Sequence, residues 1–259
     1  MDTSPVPGAP SGQADRPVPP GTAIRRHGLA TRAWHWINAV AVIVLLGSGL
    51  GISNAHPRLY WGRYGANFDT AWAELPRFPA WITIPAGYNL AISRRWHLFF
   101  SLVLSFALLG FMIVSLFNRH FQRDLRVRAG ELAPREVAHD VREHLALRFH
   151  DPKRPAAYNI LQKLSYVATI FILLPVMILT GLAMSPAMDA AWPWLLDIFG
   201  GRQSARSIHF IAMVALVLFI IAHLALVILA GAWNEVRSMI TGRFTVPGHV
   251  PAHTGEDAA

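Results

Sequence analysis

The stretch Ile208–Trp233, IHFIAMVALVLFIIAHLALVILAGAW, contains no acidic or basic side chain but holds two histidines, His209 and His223. As an α-helix rising 1.5 Å per residue it is long enough to cross a hydrocarbon core of ~30 Å. The histidines are fourteen positions apart, so a helix sets them about 21 Å apart along its axis and about 40° apart around it. One face of one helix therefore offers an imidazole near each side of a bilayer. Polar, ionisable groups at membrane depth are costly and mark functional sites by default.

Three further runs, Ala33–Ile52, Trp96–Phe117 and Leu164–Met184, also lack Asp, Glu, Lys and Arg. With 53% hydrophobic and 15% charged residues, the chain is too apolar for a soluble domain of its length. The expected fold is an all-α integral membrane bundle of four transmembrane helices, at about 33–52, 96–117, 164–184 and 208–233. They form one membrane domain, 25–245, between disordered cytoplasmic tails at 1–24 and 246–259. The first twenty residues are rich in Pro, Gly and Ala and lack the pattern of a cleaved signal, so the first span is expected to act as an uncleaved one. Pro175 should kink the third span. In the loops, Phe78–Ile92 is apolar but broken by Pro79 and Pro85, which suits an interfacial segment better than a fifth span. Glu131–Phe149 reads as a surface helix with Val137, Val141 and Leu145 on one face. Its His139, His144 and His150 read as solvated side chains.

Net charge is +8, and its placement reads as topology rather than nucleic-acid binding. Lys and Arg number four before span one, ten between spans two and three, and two after span four, against five and two in the intervening loops. Cytoplasmic loops carry such an excess, so both termini are expected in the cytoplasm of a bacterial inner membrane. Membrane lipid is the first partner, and nucleic acid is none. There is no cysteine, which excludes cysteine-ligated iron–sulfur clusters and C-x-x-C-H haem attachment and leaves histidine as the natural metal ligand.

Of twelve histidines, four stand within or at the ends of spans: His35, His97, His209 and His223. A lone histidine at a helix end is often only interfacial, but topology pairs these four. His35 enters from the cytoplasm and meets the depth of His223; His97 enters from outside and meets the depth of His209. Each pair could sandwich a haem, His97/His209 the outer and His35/His223 the inner, with the iron as the metal. Ligation by two imidazoles suits electron transfer better than oxygen chemistry. Gly47 and Gly51 are read either as a close helix contact or as room for a macrocycle.

Taken in order, RAWHW (Arg32–Trp36), RRWH (Arg94–His97), YNILQKLSY (Tyr158–Tyr166), H-x13-H and the W-x5-M-I-x-G-R tail resemble one family. They are similar to the membrane cytochrome b subunits of formate dehydrogenases and nickel–iron hydrogenases, within the bacterial cytochrome b561 group. The resemblance covers roughly Arg25 to Thr245. It implies two haem b groups on His35, His97, His209 and His223, and a quinone pocket where Asn159, Gln162 and Lys163 match. The same polar residues also suit a helix cap and an interfacial anchor. Arg32, Arg95 and Arg206 are read either as propionate partners or as lipid anchors.

These readings support an electron-transfer subunit of a quinone-linked oxidoreductase. Its catalytic partner, a molybdenum-cofactor enzyme or a hydrogenase, is expected to dock on the external face. One alternative is a self-sufficient superoxide:quinone oxidoreductase, its anion drawn by Arg94, Arg95 and Arg206. Another is a non-redox transporter or scaffold bundle with buried histidines as relay or packing groups.

Overall fold

The computed structural model describes residues 18–66, 68–119, 121–146 and 159–247. The chain begins with β1 (Ala23–Arg25) and α1 (Leu29–Ala55), followed by a loop holding the short pair β2 (Arg58–Leu59) and β3 (Ala73–Glu74). Next come α2 (Leu90–Phe117) and an arm containing α3 (Pro134–Leu145). The third crossing is α4 (Ile160–Ala168), a π-helical stretch Thr169–Leu173, and α5 (Leu174–Met184). Two single-turn helices, α6 (Pro186–Ala191) and α7 (Pro193–Ile198), lead to α8 (Arg202–Leu229), then α9 (Ala232–Thr241) and β4 (Arg243–Thr245). Four helical units are thus long and apolar enough to span a membrane, starting at Leu29, Leu90, Ile160 and Arg202.

The spans begin earlier than the uncharged runs because caps and polar first turns extend them. Asn89 accepts a hydrogen bond from Ile92 N at 3.1 Å and starts α2. Asn159 accepts from Gln162 N at 2.9 Å, and the Gln162 side chain accepts back from Asn159 N at 3.4 Å, closing a capping box on α4. At the far end, α8 stops before Trp233, where span four was expected to run on. Gly231, at φ +105°, turns the chain out of the helix, and Trp233 belongs to α9. The irregularity expected at Pro175 takes the form of the π stretch immediately ahead of it. Proline offers no N–H to the preceding turn, and the wider ladder absorbs the mismatch.

Packing divides the bundle into two hairpins, α1 against α2 and α4–α5 against α8. Between them, one apolar cluster draws Ala41 from α1, Leu104, Leu108 and Phe111 from α2, Ile170 and Leu174 from the third span, and Leu216 from α8. Trp34 stacks on Phe111 with ring centroids 4.2 Å apart. The outward faces stay apolar: Phe117 is 84% and Ile228 68% exposed, as lipid-facing positions should be.

The first and last described segments meet at one end of the bundle, called the inner end after the expected topology, and are tied together there. β1 pairs antiparallel with β4, Ala23 opposite Thr245. Residues 18–24, expected as part of a disordered tail, are therefore partly ordered, because β4 supplies their backbone partners. Below the strands, Arg26 Nη1 meets Glu235 Oε1 at 3.0 Å and the Arg26 guanidinium lies 4.7 Å from the Phe244 ring centroid. Trp36 Nε1 donates to Met239 O at 3.1 Å, and Arg32 Nη2 donates to Ile240 O. Gly242 is left-handed at φ +81°, and a Cβ there would stand 3.0 Å from His27 O, so α9 ends where only glycine fits.

The arm after α2 also docks on this end. Asp140 on α3 accepts from Ile160 N at 2.8 Å, and Lys163 Nζ donates to Glu131 Oε1 at 2.8 Å. That lysine holds the Glu131 carboxyl below the ordinary glutamate range. A folded-state value below the unfolded one means the contact stabilises the arm fully at neutral pH. The contribution is lost as pH falls through the lowered folded value. Hydrogen-exchange protection across 129–145 should therefore decline in acid, and Glu131→Gln should remove that pH dependence. His139 on α3 is exposed, as expected, whereas the His144 side chain, His150 and the outermost tails lie outside the described residues.

At the opposite, outer end the Phe78–Ile92 segment forms no fifth span, and its last three residues open α2. It makes one 3-10 turn, Ala80–Ile82, with Thr83 buried and its hydroxyl donating to Ala80 O at 2.8 Å. Ile84 then packs onto α1 so closely that a Cβ at Gly47 would lie 2.6 Å from it, and one at Gly51 would lie 2.5 Å from Ser93 Oγ. Both glycines therefore serve close packing, against this loop and α2 respectively.

Candidate functional site

The four span histidines arrive in two pairs on facing elements. His97 on α2 faces His209 on α8, ring centroids 6.2 Å apart with planes at 61°. His35 on α1 faces His223 on α8, centroids 6.3 Å apart with planes at 57°. The pairs thus bridge the two hairpins, one towards each end of the bundle, and α8 supplies a member of both. The depth pairing expected from topology is the one the fold assembles.

The separations have a chemical meaning. Metal–imidazole nitrogen bonds run about 2.0–2.1 Å, and an imidazole centroid lies ~1.1 Å behind its nitrogen. Two imidazoles on opposite sides of one metal therefore place their centroids about 6.3 Å apart. Among the described residues no group of three or more His, Cys, Asp or Glu side chains could hold a bare metal ion. Two nitrogens suffice only where a macrocycle fills the other positions, as in haem. The residues present fit that group.

The outer rings have a built surround. His97 Nδ1 is 3.0 Å from Ser48 Oγ, and His209 Nδ1 is 2.8 Å from Thr180 Oγ1. Each hydroxyl donates its own proton one turn back, Ser48 to Val44 O at 2.7 Å and Thr180 to Val176 O at 2.6 Å. The hydroxyl oxygens must then accept from Nδ1–H, which leaves both Nε2 lone pairs available to a metal. A Cβ at Gly49 would approach His97 Cε1 to 3.5 Å, and one at Gly181 would approach His209 Cε1 to 3.7 Å. Spans one and three thus each present a hydroxyl–glycine dipeptide, Ser48-Gly49 and Thr180-Gly181, to a ring on the neighbouring span.

Around the inner pair, His223 stacks on Phe219 with centroids 5.9 Å apart, and His35 Nδ1 is buried without a hydrogen-bond partner among the described residues. Arg32 and Arg206 stand one helical turn before His35 and His209. Each donates to a backbone carbonyl, of Ile240 and of Arg58, while its Nε is buried without a partner among the described residues. Arg94 and Arg95 are exposed on α2. At the outer end, burial together with the nearby Arg206 and Arg94 cations lowers the pKa of His56. Asn159 and Gln162 close the capping box, and Lys163 pairs with Glu131 at 2.8 Å, so all three are engaged within the protein at the inner end. Ser48 and Thr180 were missed as site residues because a lone hydroxyl inside an apolar run reads as helix packing.

A four-span bundle joined across its middle by two facing imidazole pairs defines a membrane protein of the cytochrome b class. The chain belongs to the prokaryotic cytochrome b561 family, whose model matches residues 26–242. It is a multi-pass membrane electron-transfer protein, and haem b is its cofactor. It is 30% identical over 200 residues to a putative protein-methionine-sulfoxide reductase subunit YedZ1 of Azospira oryzae, covering 76% of this chain and 87% of that one. It is 25% identical over 221 residues to a probable Ni/Fe-hydrogenase B-type cytochrome subunit of Cupriavidus necator, covering 82% of each. A relative of the same description in Rhodobacter capsulatus is 21% identical over 241 residues, 86% of this chain and 82% of that one. No solved structure gives a significant match. Membership in a cytochrome family sets aside the non-redox bundle.

Proposed function

We propose that the chain holds two b haems, His97/His209 ligating the outer and His35/His223 the inner. In this reading it carries electrons across the membrane between a catalytic oxidoreductase and the quinone pool. The observation that carries this reading is the pair of ring-centroid separations, 6.2 and 6.3 Å, each matching two imidazoles placed on opposite sides of one metal. Bound haem supplies a one-electron carrier with no open coordination position. The protein's own residues do the rest. The four imidazoles would hold the haems between the two hairpins, the apolar cluster there would exclude water, and the Nε atoms of Arg32 and Arg206, without partners among the described residues, suit propionate carboxylates.

The excess of Lys and Arg in the loops at the inner end supports placing that end in the cytoplasm of a bacterial inner membrane. The oxidoreductase then docks on the outer face, where the loop between α1 and α2, His56–Asn89, lies. The names of the relatives, a hydrogenase subunit and a methionine-sulfoxide reductase subunit, support an oxidoreductase as that partner. Reduction of the quinone takes two electrons and two protons, the protons drawn from the inner side. Asn159, Gln162 and Lys163 stand at that end, and the family resemblance supports their contribution to the quinone pocket.

The test is the haem-to-protein ratio of the purified chain, by pyridine haemochrome. About two haem b per chain is expected; a ratio of one or less would end the di-haem reading.

A further inference from the structure

We infer that Ser48 and Thr180 are positioning residues that set the outer haem's reduction potential, lowering it through hydrogen bonds from the two outer imidazoles. The inference rests on the bis-histidine reading above and adds to it a pair of residues and an electrical asymmetry between the two ends.

The geometry carries it. Both hydroxyls are fully buried, at 0% exposure, and neither can turn to water. Each oxygen sits within hydrogen-bond distance of a ligand Nδ1, at 3.0 and 2.8 Å, while its proton is committed to a carbonyl one turn back. Nδ1 is therefore the protonated nitrogen in both outer rings. An acceptor on Nδ1–H shifts electron density towards Nε2, making it a stronger donor to iron. Stronger donation stabilises the ferric over the ferrous state and lowers the potential.

Among the described residues the inner pair shows no such hydroxyl: His35 Nδ1 is buried with no acceptor, and the ring stacked on His223 is Phe219. Cations near the outer end, Arg206 and Arg94, act in the opposite sense by favouring the reduced haem, so the hydroxyl contribution must be isolated by substitution. On its own it biases an electron towards the inner end, the direction needed when the outer partner is an electron donor.

The experiment is a redox titration of the full-length membrane protein, followed in the haem α-band, for wild type, Ser48→Ala, Thr180→Val and Thr180→Ser. Haem content is measured first. Two haems in wild type with at least one histidine variant losing haem keeps the bis-histidine reading in place, whatever the titrations then show.

Ser48→Ala and Thr180→Val should each retain two haems and raise the midpoint of one haem only. The expected shift is three- to tenfold in its oxidised-to-reduced ratio at fixed ambient potential, tenfold being about 59 mV for one electron. The g-values of that ferric haem in electron paramagnetic resonance should move with it. Thr180→Ser, which keeps the hydroxyl, should titrate like wild type, separating a hydrogen-bond effect from a packing one. Unchanged midpoints in both hydroxyl-less variants with haem retained would overturn the inference, as would a shift confined to the other haem. Should Ser48→Ala fail to accumulate, the near-isosteric Thr180→Val and its serine control decide the matter alone.

Discussion

His209→Ala and His223→Ala should each leave about one haem per chain, and the residual haem should differ between them. In the first variant the survivor is ligated by His35 and His223; in the second, by His97 and His209. The two sites share α8, yet lie about 21 Å apart along it for fourteen residues of helix. Removing an imidazole opens one coordination position without touching the other pair. The reduced-minus-oxidised spectra of the two variants should sum to that of wild type, and each variant should keep one of the two wild-type midpoint potentials. Retention of both haems in both variants would refute the ligand assignment. Pairing His97→Ala with His209→Ala, and His35→Ala with His223→Ala, should give matching spectra within each pair.

The second large effect is expected at the inner end. Glu235→Ala should destabilise the folded protein by about 3–5 kcal/mol, the usual cost of removing one partner of a buried ion pair. The Arg26 side chain is 6% and the Glu235 side chain 14% exposed, so solvent can do little to replace the lost carboxylate. Glu235→Gln keeps shape and hydrogen-bonding capacity and should cost less. Thermal unfolding in detergent, followed by loss of the haem Soret band and by tryptophan fluorescence, checks both. Equal stability of Glu235→Ala and wild type would mean that α9 does not secure the inner end.

Hydropathy and charge made the number, type and order of the spans legible, because hydrocarbon imposes a length and an exclusion that composition alone reveals. It could not mark where the helices end. α2 begins at Leu90, and α8 stops before Gly231, for reasons of capping and backbone conformation that hydropathy does not weigh. The histidine pairing was legible for a related reason: topology assigns each span histidine a depth, and depth leaves one matching partner. The hydroxyls behind His97 and His209 were not, since serine and threonine inside a span commonly bond to their own helix, as these two also do. The sequence left Asn159 and Gln162 open between a helix cap and a quinone contact, and did not foretell that Gly47 would be packed against by a side chain from an external loop.

The strand pairing at the inner end has a consequence for biogenesis. Arg26 and Glu235 are 209 positions apart, and β1 meets β4 at a similar remove. Synthesis proceeds from the amino terminus, so the first strand emerges from the ribosome long before its mate exists. It must wait while four hydrophobic segments pass through the insertion machinery. Closure of that seam is then a last, post-translational event, and a chain cut short before Arg243 would be delivered to the bilayer complete in its crossings but unfastened.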